Sequence, residues 1–352
     1  MTPRSFVALA VVTVAMVGAA VAAVVTRPEP TFIPKDRELA FPRIGAALNE
    51  ITALEVNTAG RDFTVALKDG AWVLASVGDH PAVFDTVKTV LVQLSQLRFL
   101  EAKTANAERY GRLQVQPVDA KDAKSREVTV RDKDGNVLAK GLIGKKVDAL
   151  FGTDRGGTYI RIDGDKRAWL AEGTIDLGEG PADWVSKKIV DVVGERMKRL
   201  TVRAPGGGTV VVQRDDPKKE DFKLEDVPEG KKQRGQWETN EMPKALQGLE
   251  LKDLFTAPEI DFKEGTYVAE FETFDGLVVR AEAAKLGKKY WVRLSASAEE
   301  ASGENAEKVK KEAAEINARA KGYVYEIDEA PGKKLTCDHV NLLEGAGINA
   351  CA

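Results

Sequence analysis

Cys337, Asp338 and His339 stand in a row near the end of this chain, and Cys351 follows in "KKLTCDHVNLLEGAGINACA". These residue types bind metals and supply nucleophiles, so the search for chemistry starts here. A structural zinc site needs four spaced ligands, and adjacent side chains do not readily converge on one ion. Cys337 and Cys351 are the only cysteines, and His80 and His339 are the only histidines. A Cys-His catalytic pair is assembled in space rather than by adjacency, so "CDHV" does not by itself make one. The two cysteines read either as a disulfide or as two free thiols. In an exported protein such a pair can bond. Closing a loop of about fifteen residues would stabilise the tail by about 3 kcal/mol in the loop-entropy account. His80 precedes Pro81 and is expected to lie exposed in a loop.

The other candidate motifs are weaker. "GLIGKK" invites a phosphate-loop reading, but Ala139 stands where that loop needs its first glycine, and Lys146 stands where it needs Ser or Thr. A turn ending a strand is the better reading. "APGGGT", Ala204 to Thr209, could form a backbone nest for an anion, yet it also reads as a hairpin turn. Neither Gly-x-Ser-x-Gly nor His-Glu-x-x-His occurs. Trp72, Trp169, Trp184, Trp237 and Trp291 could line a carbohydrate platform, although Trp72, Trp169 and Trp291 fall on predicted strands, where core packing is the simpler role. "DPKKEDFKLEDVPEGKKQRGQ" reads as a solvated charged loop around Phe222. No catalytic residue, metal or cofactor is expected from these patterns.

The elements that would have to position such residues can be read from periodicity. In "ITALEVNTAGRDFTVALKDGAWVL", Ile51 to Leu74, apolar residues alternate as in half-buried strands, and Asp69-Gly70 is a two-residue hairpin signal. Phe84, Val87, Val90, Leu91, Leu94 and Leu97 then recur at helical spacing. Further strands follow around Asp134-Gly135 and Asp163-Gly164. The same grammar returns from Arg196: "RMKRLTVRAPGGGTVVVQRDD" echoes the first strands, and Asp275-Gly276 takes the place of Asp134-Gly135. A helical stripe of Val309, Ala313, Ile316 and Ala320 interrupts the second half. The expected fold is α+β: an N-terminal transmembrane helix, then two duplicated units of antiparallel β-meanders, each covered by helix. The expected divisions are an anchor over residues 1–26, a proline-rich stalk over 27–44, units over 45–190 and 191–330, and a Cys-containing tail over 331–352.

The anchor is the run from Phe6 to Val25, interrupted only by Thr13 and Gly18 and free of charge. At about 1.5 Å per residue it is long enough for the ~30 Å hydrocarbon core of a bilayer. A cleaved signal remains a rival, because Arg4 precedes the run and Ala20-Val21-Ala22 has a small-x-small form. Apolar residues continue past that site to Val25, which favours retention. Either reading exports the body; the retained anchor, which is the expected case, makes it a single-pass protein of the inner (cytoplasmic) membrane with its bulk on the periplasmic side. The whole chain is 43% hydrophobic and 30% charged, with a net charge of −3, and that balance argues against nucleic acid as a partner.

The segments "ITALEVNTAGRDFTVALKDGAWVL", "ERYGRLQV", "LIGKK" and "TYIRIDGDKRAWLAE" together resemble a bacterial domain-of-unknown-function family. The resemblance runs from Ile51 to about Asp328. It implies a membrane-anchored extracytoplasmic protein, of a kind often encoded beside gliding-motility-type ABC transporter components. It supplies no catalytic residues. The expected function is therefore a non-catalytic auxiliary or scaffold protein that meets an integral ABC transporter subunit or another envelope protein. An exported module binding envelope glycan or polymer is the alternative, and a hydrolase without a readable motif is a third.

Overall fold

The computed structural model describes residues 16, 38–150, 152, 154–262, 265–298, 301–345 and 351. Its strands fall into two sheets of nine. The first draws on β1 (Ile51–Asn57), β2 (Phe63–Lys68), β3 (Ala71–Leu74), β4 (His80–Pro81), β5 (Arg98–Thr104), β6 (Arg126–Asp132), β7 (Val137–Val147), β8 (Gly157–Ile162) and β9 (Ala168–Glu172). The second draws on β10 (Lys188–Val190), β11 (Met197–Arg203), β12 (Thr209–Gln213), β13 (Lys223–Leu224), β14 (Leu249–Thr256), β15 (Tyr267–Thr273), β16 (Val278–Leu286), β17 (Lys289–Ser297) and β18 (Tyr323–Ile327). Helices are few: α1 (Pro42–Ala46), α2 (Phe84–Gln96), α3 (Tyr110–Leu113), α4 (Gln236–Glu241), α5 (Ala306–Ala320) and α6 (Glu329–Leu335).

This overturns the α+β expectation. The chain is mostly antiparallel β. The strands before and after α2, expected to form meanders covered by helix, join through β1 and β6 into one continuous sheet, ordered β4-β3-β2-β1-β6-β7-β8-β9-β5. β1 and β6 are neighbours in the sheet but lie far apart in sequence, so no local pattern announces that they meet. Among the described residues no helix is long and apolar enough to cross a membrane. The segment expected to do so, Phe6 to Val25, lies outside the described residues apart from Met16.

The second sheet, taken from its β13 edge, runs β13-β12-β11-β15-β16-β17-β18-β14-β10. Without β4 and β10, the two sheets follow one order strand for strand. The helix α5 is the principal addition, inserted between β17 and β18. Its buried stripe of Val309, Ala313, Ile316 and Ala320 packs on β17. The Asn317 amide completes the contact: its nitrogen donates to the Ala296 carbonyl at 2.7 Å, and its oxygen accepts from the Ala296 N–H at 2.8 Å.

The chain folds as two compact units that interleave along the sequence. One comprises Met1–Leu48, Val92–Thr129 and Leu138–Ile175, and the other Asn49–Leu91, Val130–Val137 and Asp176–Ala352. In the first, Tyr110, Val115 and Ala168 form a buried cluster with Leu113 and Tyr159 against it. Arg161 stacks 4.7 Å over the Tyr110 ring and donates from Nε to the Val115 carbonyl at 3.1 Å. Gly144 of "GLIGKK" lies under this cluster. A Cβ there would run into the Leu113 and Gln114 carbonyl oxygens, and β7 shifts register against β8 between Ile143 and Lys146. The motif is a close backbone approach at a bulge.

In the second unit Asp69 and Gly70 take φ of 50° and 81°, the left-handed pair that a two-residue hairpin turn requires. Phe63, Val65 and Leu74 of the hairpin they close are buried, as are Leu54 and Val56 of the neighbouring β1. Trp184 is fully buried, its ring 5.7 Å from Phe63 and its indole N–H donating to the Leu177 carbonyl at 3.1 Å. A second cluster gathers Phe262, Ala284, Trp291 and Val324, with Phe255 and Ile260 packed on it.

Candidate functional site

The described tail is a folded part of the second unit. After β18, Asp328 leads into α6, which packs on β16 and β17. The approach is close at Gly332, where a Cβ would overlap the Tyr290 ring. Cys337 and Cys351 are bonded to each other with their Cα atoms 5.3 Å apart, and both are buried. Asp338 accepts from the Tyr267 hydroxyl of β15 at 3.2 and 3.3 Å. Burial first, and then the Asp338 charge, raises the Tyr267 pKa above that of an ordinary tyrosine. His339 donates from Nε2 to the Glu225 carbonyl at 3.2 Å. The backbone beyond it pairs with the 232–234 segment: Arg234 N–H meets the Leu342 carbonyl at 2.7 Å, and Glu344 N–H meets the Lys232 carbonyl at 2.8 Å.

Cys337, Asp338 and His339 therefore point to three different partners. No group of three metal-binding side chains assembles among the described residues. The cysteines are bonded to each other, and Asp338 accepts the hydrogen bond of the Tyr267 hydroxyl.

Around this tail lies a groove of about 260 Å³ lined by Tyr267, Lys285, Tyr290, Glu329, Lys333 and Cys351, among others. Lys285 sits 5.1 Å over the Tyr290 ring, and Lys333 pairs with Glu329 at 2.8 Å. The Glu329 carboxyl is held below its usual range by that hydrogen bond to Lys333. A second cavity of about 450 Å³ lies beside Arg293, whose Nη2 donates to the Ala257 and Ile260 carbonyls at 2.9 and 2.6 Å, with the guanidinium 4.3 Å over Phe262.

Two large apolar side chains stand in solvent on the segments that the tail joins. Trp237 of α4 is 63% exposed, and Val340 is 65% exposed. Of the five tryptophans weighed as a sugar platform, Trp169, Trp184 and Trp291 are buried and Trp72 is half-buried. The Trp169 indole N–H donates to Asp165 at 3.0 Å, and Trp291 meets Phe255 at 5.4 Å. Of the five, Trp237 is the one largely exposed.

Two expectations are corrected here. His80 is 5% exposed rather than solvated, because β18 packs on it. Phe222 is buried within its charged stretch. Arg214, itself buried, stacks 4.6 Å over that ring and donates to the carbonyls of Met197, Lys219, Gly194 and Glu195. A run of charge in sequence hides such an organising arginine, because nothing local shows that it will turn inward.

The family described as Domain of unknown function (DUF4340) matches residues 72–263, more than half of the chain. The chain belongs to the DUF4340 family. No curated protein and no solved structure matches it. The DUF4340 match begins in β3 and ends before β15, so it takes in α2, most of the first sheet and the start of the second. His80 and Trp237 fall inside it, while the disulfide and Val340 lie beyond it.

Proposed function

We propose that this DUF4340 protein works outside the cytoplasm, held at the membrane by its apolar N-terminal run, as a non-catalytic auxiliary that docks on a protein component of a transport system. The observation that carries this reading is the disulfide-closed tail, which pins the segments bearing Trp237 and Val340 while leaving both side chains in solvent. Tryptophan is among the residue types most enriched at the hot spots of protein interfaces. A buried disulfide favours an oxidising compartment over the cytoplasm. The uncharged run from Phe6 to Val25 favours a membrane tether, which would raise the local concentration of the body around an integral partner. The transporter itself enters from the family resemblance.

Photo-crosslinkers placed at Trp237 and Val340 in intact cells test the reading. The expected capture is an integral envelope protein at both positions, with no such capture from a control position at exposed Lys310. Capture of self alone, together with cleavage of an envelope polymer by the purified chain, would overturn it in favour of a hydrolase.

A further inference from the structure

His80 is the one histidine buried in the body of the fold. It lies on β4, paired with Leu74 of β3, and its ring faces β18. Nδ1 is 3.1 Å from the Pro81 carbonyl oxygen, and Nε2 is 3.3 Å from the Tyr325 hydroxyl oxygen. That hydroxyl donates its single proton to the Arg319 carbonyl, at the shorter distance of 2.6 Å. The imidazole therefore stands between two acceptors. A neutral ring has one N–H and satisfies one of them, whereas an imidazolium could donate to both.

The surroundings oppose that charge. The edges of Tyr323 and Tyr325 close on the ring at centroid distances of 4.7 and 6.1 Å. The neighbouring Asp79 carboxylate is bonded to Lys68 at 2.6 Å. From α5, Arg319 brings a further positive charge. On β14, Asp253 is committed to Arg61 at 3.2 Å. Among the described residues no carboxylate bonds the ring, so a buried proton gains one hydrogen bond and loses the solvation of a full charge, and the second effect is larger. Burial accordingly pushes the His80 pKa below the ordinary histidine value. Around this ring, Tyr323 donates to the Gly78 carbonyl at 2.8 Å, so the turn before β4 is bonded to the same strand.

We propose that His80 is an acid-sensitive latch that holds the β3–β4 turn on β18 while neutral and releases it when protonated. The sign follows from linkage. The open form titrates as an ordinary histidine and the closed form lower, so the open form binds the proton first. Closure is therefore complete above the ordinary histidine range and weakens as pH falls through it. This holds whether or not the transporter reading is right.

The test is hydrogen exchange of the full chain, followed by mass spectrometry on peptides covering residues 75–83 and 323–327 and corrected for intrinsic rates. Between about pH 7.5 and 5.5, protection in both segments should fall by up to about tenfold per pH unit below the ordinary histidine pKa. In His80→Gln protection should not change over that range, and in His339→Gln it should fall as in the unsubstituted chain. An equal loss in His80→Gln, or no loss in the unsubstituted chain, overturns the latch. Should His80→Gln fail to fold, ring-resonance titration of the unsubstituted protein decides: a His80 pKa at or above the ordinary value overturns it, and a lower one supports it.

Discussion

Trp184 and Trp237 carry the same side chain into opposite roles, and the difference is local. Trp184 is fully buried against Phe63 with its N–H bonded to a backbone carbonyl, while Trp237 projects from a six-residue helix into solvent. Replacing Trp184 by Ala should cost about 3–5 kcal/mol, the sum of lost transfer energy and the cavity left behind. Replacing Trp237 by Ala should leave stability within about 0.5 kcal/mol, as at an ordinary surface position. Urea denaturation of both variants checks this, and a large loss for Trp237→Ala would make it a structural residue and weaken its docking role. In sequence the two were indistinguishable as sites, because exposure depends on what arrives from elsewhere in the chain. The same holds for His80, whose partner Tyr325 lies 245 residues away.

At the scale of the element, hairpin turns were the most legible feature, and their chemistry differs where their geometry agrees. In the β6–β7 turn, Asp132 accepts from the Asp134 and Asn136 N–H groups at 2.9 and 2.8 Å and from the Asn136 side chain at 3.0 Å. In the β15–β16 turn, Thr273 takes that place, accepting from the Leu277 N–H at 2.9 Å and donating to Asp275. The hydrogen bond from the Asn136 side chain is the leading cause that holds the Asp132 carboxyl below its usual range. A lowered carboxyl stabilises the fold above its unfolded pKa, and that contribution is lost as pH falls through the folded one. Stability should therefore drop on acidification below about pH 4, and Asp132→Asn should flatten that part of the curve, read as the urea midpoint against pH. A parallel drop in both proteins would assign the acid sensitivity elsewhere. By contrast "GLIGKK" misleads at this scale, because a glycine needed for close backbone approach looks the same in sequence as one needed for a ligand.

At the scale of the whole molecule, the alternation from Ile51 to Leu74 and the helical stripes were readable because each is set by a face buried locally. The joining of strands into two nine-stranded sheets was not, because pairing across dozens of residues leaves no periodic mark, and the helices drew more weight in the α+β expectation than their number warrants. The tail was half-legible. Two cysteines close together in sequence allow a bond, but only the fold brings Asp338 to Tyr267 and the 342–344 backbone to the 232–234 segment.

That tail also carries the prediction on which the proposed location depends. A bond between Cys337 and Cys351 closes a short loop, with a sequence separation of 14. Its loss should cost about 3 kcal/mol in the loop-entropy account. Both sulfurs are buried, so the bond should survive mild reductant in the folded protein and break in denaturant. Protein taken from the envelope and denatured should take up no alkylating label without reductant and two labels per chain with it. The Cys337→Ser/Cys351→Ser pair should melt earlier and lose crosslinking at Val340, which lies inside the closed loop, more than at Trp237, which lies outside it. Two labels without reductant would mean the chain meets a reducing compartment. The proposed location would then fall, and the docking surface would have to be sought in the cytoplasm.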